Sequence, residues 1–263
     1  MLRKILHMKK NKEKIVMTTC YDATMAKILS ESNIDMFLVG DSVGMTKLGY
    51  KNTLSVTMAD MIHYTAAVVR GTNKDKVVVV ADMPYKSYED NPQLAVENAR
   101  KLIDCGADMV KLEGGVEIIE SIKSIIVAGI KVVGHLGLMP QSVDKIGGYK
   151  VQCRDDKSQK KLFEDSLLLQ SVGVSMIVFE GIPEQVAKFV TEKLDIPTIG
   201  IGAGKYCDGQ VLVIDDLLGM FQDFTPKFVK KYANLAQIIQ LATKQYSKEV
   251  KEEKFPQEVN TYK

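Results

Sequence analysis

The chain has no tryptophan, only three histidines, and four cysteines in 263 residues. Cys20, Cys105, Cys153 and Cys207 are far apart and form no CxxC pair. They are read as reduced thiols of a cytoplasmic protein rather than as a disulfide framework or metal site. Charge of one sign is also lacking: the formal net charge is +2, which leaves no electrostatic footprint for nucleic acid. No apolar run reaches the roughly 18 residues of a membrane helix. The opening "MLRKILHMKKNKEK" lacks the apolar core and small-residue cleavage site of a secretory signal, and a cytoplasmic location is expected.

What is present is an ordinary globular composition, 46% hydrophobic and 26% charged. The length suits one large α/β domain, and residues 1–263 are expected to form a single domain with a short N-terminal helix. Short β-rich runs recur: "KIVMTTC", "DMFLVGD", "KVVVVADMP", "DMVKLEG", "KVVGHLG", "SMIVFEG", "IPTIGIGAG" and "QVLVID". They are continuously apolar rather than alternating, as strands covered on both faces should be.

Helical patterns separate most of these runs. Thr57 with Asp60 three residues on predicts a capped helix ending near Gly71. Asn91-Pro92 opens the next, with Ala95, Ala99, Leu102 and Ile103 as its stripe. Ile118, Ile119, Ile122, Ile125 and Ile126 mark a third. Thr225-Pro226 predicts a last helix burying Phe228, Val229, Tyr232, Leu235, Ala236 and Ile239. The charged tail from Gln245 onward is expected to fray.

Eight strands alternating with helices predict a (β/α)8 TIM barrel, with a doubly wound open sheet as the alternative. Two places fit less well. Few residues separate "IGAG" from "QVLVID", short for a parallel crossover. The stretch from 138 to 157 is long for a loop, which suggests function.

In such barrels the C-terminal strand ends carry the chemistry. Here those ends read Asp41, Asp82, Glu113, His135 and Glu180. A lone strand-end Asp is ordinarily a cap or loop residue, but five such residues on successive strands point to a site. Strands two, three and four would be neighbours, roughly 5 Å apart. Their three carboxylates would repel one another unless a divalent cation joined them. All-oxygen ligands select Mg²⁺ or Mn²⁺. Lys111 and Glu113, two apart, point the same way, and the lysine can answer a carboxylate on a ligand. Glu180, ending the apolar "MIVF", is a candidate general base whose pKa burial would raise. Ser42 offers a hydroxyl to an anionic oxygen, and Gly40 and Gly44 let the backbone approach a ligand. His135 is a candidate substrate contact or a packed core histidine. His63 and His7 are read as structural and surface residues. "GIGAG" is read as tight turns rather than a phosphate cradle, and the thirteen methionines as gap fillers.

Six ordered motifs, "VGDSVGMTKLGY", "ADMPYKSY", "MVKLEGG", "GHLGLMPQS", "GGYKVQ" and "IGIGAG", closely resemble the ketopantoate hydroxymethyltransferase family from about Lys14 to Phe224. The resemblance implies a (β/α)8 barrel that transfers a hydroxymethyl group from 5,10-methylenetetrahydrofolate to 2-oxoisovalerate (3-methyl-2-oxobutanoate). The product would be 2-dehydropantoate, formed through a Mg²⁺-stabilised enolate on the route to pantothenate and coenzyme A. It implies that Asp41 and Asp82 bind Mg²⁺, with Glu113 beside them and partly through water. It further implies that Ser42 and Lys111 hold the substrate carboxylate, that Glu180 is the base, and that the subunits assemble into a homodecamer. The chain departs from the pattern at Tyr50, where related sequences often have histidine. It also has "FEGIP" where "LECVP" is more usual. Neither change removes a residue with an implied role.

Two other readings compete. One is a Mg²⁺-dependent lyase of the phosphoenolpyruvate mutase and isocitrate lyase type, which usually carries a catalytic cysteine loop absent here. The other is a non-catalytic barrel binding an anionic metabolite, which the presence of Glu180 opposite the carboxylates disfavours.

Overall fold

The computed structural model describes residues 2–143, 148 and 150–262. Parts of the long 138–157 loop and of "GGYKVQ", residues 144–147 and 149, lie outside the described residues. The chain divides into two compact units, Met1–Val213 and Ile214–Lys263.

The first unit is a closed barrel of eight parallel strands in sequential order. They are β1 (Ile15–Thr19), β2 (Met36–Val39), β3 (Val78–Asp82), β4 (Met109–Glu113), β5 (Val132–Gly137), β6 (Met176–Glu180), β7 (Thr198–Ile201) and β8 (Gly209–Leu212). All eight β-rich runs of the sequence are strands. β1 pairs with both β2 and β8, so the sheet has no edge. The helices of this unit are α1 (Leu2–Lys10), α2 (Ala23–Leu29), α3 (Val43–Thr46), α4 (Met58–Gly71), α5 (Pro92–Asp104), α6 (Ile119–Val127), α7 (Asp156–Ser171) and α8 (Glu184–Lys193).

Local signals account for the helix starts. The Thr57 hydroxyl accepts from the Asp60 N–H, and the Asp60 carboxylate accepts from the Thr57 N–H. Asn91 caps α5 by accepting from Gln93 and Leu94 N–H groups, with Pro92 in the first turn. The short β7–β8 connection is resolved by arithmetic. Ile199 pairs with Gly209. Each strand has four residues, and the link between them, residues 202–208, is a series of bends with no helix. Gly202 and Gly204 in that link have φ of 60° and 76°, which agrees with the tight-turn reading of "GIGAG".

The barrel interior is apolar at the bottom. Met17, Met36, Leu38, Val78, Val80, Met109, Val133, Met176, Val178, Ile199 and Val211 pack together. Helix α1 adds Ile5 and Met8 to this cluster. It lies at the strand-start end, where Lys9 donates to Asp208, just before β8. Each such side chain contributes about 1.5–3 kcal/mol of burial.

The second unit holds α9 (Ile214–Leu217) and α10 (Leu235–Lys251). Here the sequence reading needs correction. The last helix begins at Leu235, not after Thr225-Pro226, and none of its residues is buried. The N–H groups of Tyr232 and Leu235 instead donate to Leu217 and Leu218 carbonyls, which ties the intervening chain back to α9. Residues 245–251 are helical rather than frayed. Among the described residues no helix is long and apolar enough to cross a membrane.

Replacing Thr57 by alanine removes one half of the α4 capping box. The expected cost is about 1 kcal/mol, or a fall of roughly 2–4 °C in melting temperature. A thermal melt with no fall would contradict the cap's role.

Candidate active site

Strand parity builds the site. On β3 the inward face runs Val78, Val80, Asp82; on β6 it runs Met176, Val178, Glu180. On β4 it runs Met109, Lys111, Glu113, and on β5 Val133 is followed by His135. The same faces that are apolar at the bottom thus become ionic at the C-terminal rim. Register then sets the partners: Asp82 lies beside Lys111, and Glu113 beside His135.

The resulting network is buried. Lys111 Nζ lies 2.9 Å from Asp82 Oδ1 and 3.8 Å from Glu113 Oε1. His135 stands between two carboxylates, with Nδ1 3.2 Å from Glu113 Oε1 and Nε2 3.3 Å from Glu180 Oε2. The Asp41 N–H donates to Asp82 Oδ2 at 3.1 Å. Five of the strand-end residues, Asp41, Asp82, Lys111, Glu113 and His135, are no more than 6% exposed. Glu180 is the half-buried member, with a side chain 16% exposed.

Ser42 starts α3, and its Oγ is 2.8 Å from the Tyr21 hydroxyl. Gly40 is needed here for space, because a Cβ would lie 2.8 Å from Ser42 Oγ and 3.6 Å from Asp82 Oδ2. Ser42 and Asp82 therefore converge on one spot. Just past the end of β2, Gly40 leaves that volume to the Ser42 and Asp82 side chains.

Three residues join the site that sequence reasoning did not single out: Tyr21, Tyr88 and Gln141. Gln141 Nε2 donates to Asp41 Oδ2 at 2.8 Å, and its backbone N–H donates to Glu113 Oε2 at 2.9 Å. Tyr88 donates its hydroxyl proton to Gln141 Oε1 at 2.6 Å. Tyr88 and Gln141 lie within the motifs "ADMPYKSY" and "GHLGLMPQS", which was the available signal; Tyr21 follows β1 with no signal beyond its place.

The charges are unbalanced. Burial, then the charges of Asp82 and Glu113, pushes Asp41 up to about 8. Burial also leads in raising Asp82, against the pull of Lys111. Burial alone would lower Lys111 and His135, but the surrounding carboxylates outweigh it. Lys111 ends raised, and His135 reaches about 9, chiefly through Glu113. Glu113 ends lowered: burial opposes ionisation, but His135 and Lys111 outweigh it.

Asp82 Oδ1 is buried and, despite the nearby ammonium, forms no hydrogen bond of good angle. With Asp41, it makes an all-oxygen pair that suits a hard divalent cation, which typically takes one or two carboxylates and fills its shell with water or substrate oxygens. Glu113 is differently placed, since each of its oxygens already has a partner. Among the described residues no set of three or more His, Cys, Asp or Glu side chains is grouped to hold an ion.

Asp41 also predicts a pH dependence. Its folded pKa is about 8 against an ordinary 3.8, so the folded state holds its proton more tightly. That contribution is complete below pH 4 and is lost as pH rises through 8. His135, raised to about 9 from 6.5, acts in the same direction between those values. The metal-free protein should therefore melt lower at pH 9 than at pH 6. Asp41→Asn, which stays neutral, should flatten that fall. A variant whose melting temperature falls as steeply as the wild type's would refute the assignment.

Comparison with known proteins identifies the family. The family model described as ketopantoate hydroxymethyltransferase matches residues 1–258. A 3-methyl-2-oxobutanoate hydroxymethyltransferase of Clostridium botulinum (strain 657 / Type Ba4) is 55% identical over 252 residues, 95% of this chain and 91% of the relative. One of Syntrophus aciditrophicus (strain SB) is 53% identical over 256 residues, 97% of this chain and 93% of the relative. Solved structures share the fold at low identity. Phosphonopyruvate hydrolase, in a complex with oxalate and Mg²⁺, has a TM-score of 0.64 at 9% identity, covering 98% of this chain and 89% of its own. The superfamily member 2,3-dimethylmalate lyase has a TM-score of 0.61 at 11% identity, covering 99% and 91%. By the extent of the family match and the identity to its relatives, this chain belongs to the ketopantoate hydroxymethyltransferase family of enzymes.

Proposed function

We propose that this enzyme transfers a hydroxymethyl group from 5,10-methylenetetrahydrofolate to 3-methyl-2-oxobutanoate, giving 2-dehydropantoate for pantothenate synthesis. The observation that carries the mechanism is the run Glu180–His135–Glu113, which links a half-buried carboxylate to the buried acid–lysine cluster. Membership in the family supports the substrate and the one-carbon donor.

Asp41 and Asp82 would hold a Mg²⁺ or Mn²⁺ ion. When bound, the ion supplies Lewis acidity to the keto oxygen and neutralises negative charge that develops there. Lys111 and Ser42 bind the substrate carboxylate; Lys111 stays protonated because carboxylates surround it. Glu180 Oε2 takes the proton from the third carbon of the oxo acid, leaving an enolate. His135, hydrogen-bonded to Glu113, sets Nε2 3.3 Å from Glu180 Oε2, a charge contact without hydrogen-bond geometry that draws the carboxylate toward it. The third carbon then forms a bond to the methylene carbon, and both carbon–nitrogen bonds that held that carbon to the folate break. Water supplies the hydroxyl oxygen and a proton to each nitrogen, and the proton held by Glu180 returns to the new alkoxide, releasing tetrahydrofolate. Tyr50, where related sequences often have histidine, lies four residues past the end of α3.

The lyase reading gains nothing from the cysteines. Cys20 and Cys153 are buried, and burial pushes their thiols up to about 12 and about 11. Assembly into a homodecamer in the cytoplasm belongs to the same reading. Exposed apolar residues on α10, such as Ile238, Ile239 and Leu241, support a surface that a second copy covers. A monomer mass in light scattering at micromolar concentration would refute the assembly.

The two half-reactions separate experimentally. With Mg²⁺ and without folate, the protein should exchange the third-carbon proton of 3-methyl-2-oxobutanoate for deuterium, followed by proton NMR. A chelator should abolish the exchange. Glu180→Gln should slow it on the order of 10²- to 10⁴-fold, the usual worth of a positioned base. Near-normal exchange by the folded, metal-loaded variant would make another group the base.

A further inference from the structure

Gln141 is 4% exposed and sits in the 3-10 turn Pro140–Ser142 that follows β5. Its hydrogen bonds reach three neighbouring strands. The side-chain Nε2 donates to Asp41 Oδ2 beyond β2 and, at 2.9 Å, to the Met83 carbonyl beyond β3. The backbone N–H donates to Glu113 Oε2 on β4. The amide cannot be turned over. The Met83 carbonyl only accepts, so the face towards it must be the NH₂ group.

The other end of the amide is fixed by Tyr88. The Glu113 N–H donates to the Tyr88 hydroxyl oxygen at 3.1 Å. The single phenolic proton is therefore directed to Gln141 Oε1, at 2.6 Å, in preference to the Glu113 carbonyl at 3.2 Å. Tyr88 is itself held. Its carbonyl accepts from Ser121 on α6, and the adjoining Ser87 carbonyl accepts from Asn98 on α5. A chain of support runs from two outer helices through a phenol and a side-chain amide to the Asp41 carboxylate.

We propose that Gln141 and Tyr88 are a positioning pair: Tyr88 orients the Gln141 side-chain amide, and that amide fixes Asp41 for binding of the divalent cation. The inference rests on the reading that Asp41 and Asp82 hold that cation. The residue types fit the task. An amide supplies two donors without charge, so it orients a carboxylate without competing with a cation for it. A lysine here would compete, and a glutamate would have no donor for Asp41 or Met83. Partners of metal-binding carboxylates that hold their orientation are typically worth 10- to 100-fold in affinity.

The test is Mn²⁺ binding without substrate, followed by the electron paramagnetic resonance signal of the free ion. Gln141→Met keeps length and volume but cannot donate; it should bind Mn²⁺ on the order of 10- to 100-fold more weakly. Tyr88→Phe loses only the hydroxyl and should also bind more weakly. It stands as the readout if Gln141→Met does not fold. The double variant should bind no more weakly than Gln141→Met, because Tyr88 acts through the amide. Thr57→Ala, destabilised far from the site, should bind as the wild type does. Wild-type affinity in folded Gln141→Met or Tyr88→Phe, or full additivity in the double variant, would overturn the pair's role. If the wild type itself binds no Mn²⁺, the cation reading falls and this one with it.

Discussion

The ion pair between Lys111 and Asp82 is the contact around which the barrel mouth is arranged. Both groups are almost fully buried, and a charge left alone there would be expensive. Parallel strands place neighbouring residues side by side, so the pair follows directly from register. His135 answers Glu113 in the same way one strand further on. Four carboxylates, Asp41, Asp82, Glu113 and Glu180, then face two cationic groups. The shortfall is felt most at Asp41, which has a hydrogen-bonded amide beside it but, among the described residues, no ion pair with a cation. An electrostatic deficit at one oxygen ligand is what a divalent ion would relieve.

This ionic layer rests on an apolar floor made by the same strands. Two residues separate Val80 from Asp82, and two separate Val178 from Glu180. Below them the methionines and valines of the interior pack with Ile5 and Met8 of α1, which shuts water out from the strand-start end. The low dielectric that makes the charges costly also makes each of their interactions stronger. Stability of the barrel and polarity of its mouth are therefore consequences of one pattern. Inward positions change from apolar to charged at the same height on adjacent strands.

That pattern is why much of the molecule was legible in the sequence. Continuous apolar runs ending in Asp82, Glu113, His135 and Glu180 can be read without coordinates, because strand direction and parity decide where those side chains go. Capping residues such as Thr57 and Asn91 act within four residues, so α4 and α5 were equally readable. The last helix was misplaced because Thr225-Pro226 is a good local start signal that the backbone does not use; the chain there bonds back to α9 before α10 begins. Gly40 was read as letting the backbone approach a ligand, and its lack of a side chain also leaves the volume shared by Ser42 and Asp82. Crowding between strands leaves no trace in a local pattern. Glu113 was read as a metal neighbour from its strand end and from the family resemblance; the hydrogen bond of the Gln141 backbone N–H to its second oxygen comes from a loop and was not legible.

The neutral hydrogen-bonding groups of the site come from outside the strands, and there is a physical reason for this. A strand offers only every second residue to the barrel interior, and at the rim those positions are taken by charged groups. Neutral groups that orient the site must then enter from connections: Gln141 after β5 donates to the carboxylates, while Tyr88 after β3 holds Gln141 and Tyr21 after β1 meets the Ser42 hydroxyl. Each reaches a residue of another strand or its extension, Tyr21 to Ser42, Tyr88 to Gln141 and the Glu113 backbone, Gln141 to Asp41 and Glu113. Charge is thus set by the strands and orientation by the loops. The division keeps the net negative potential that favours a cation while removing the rotational freedom that would weaken its binding.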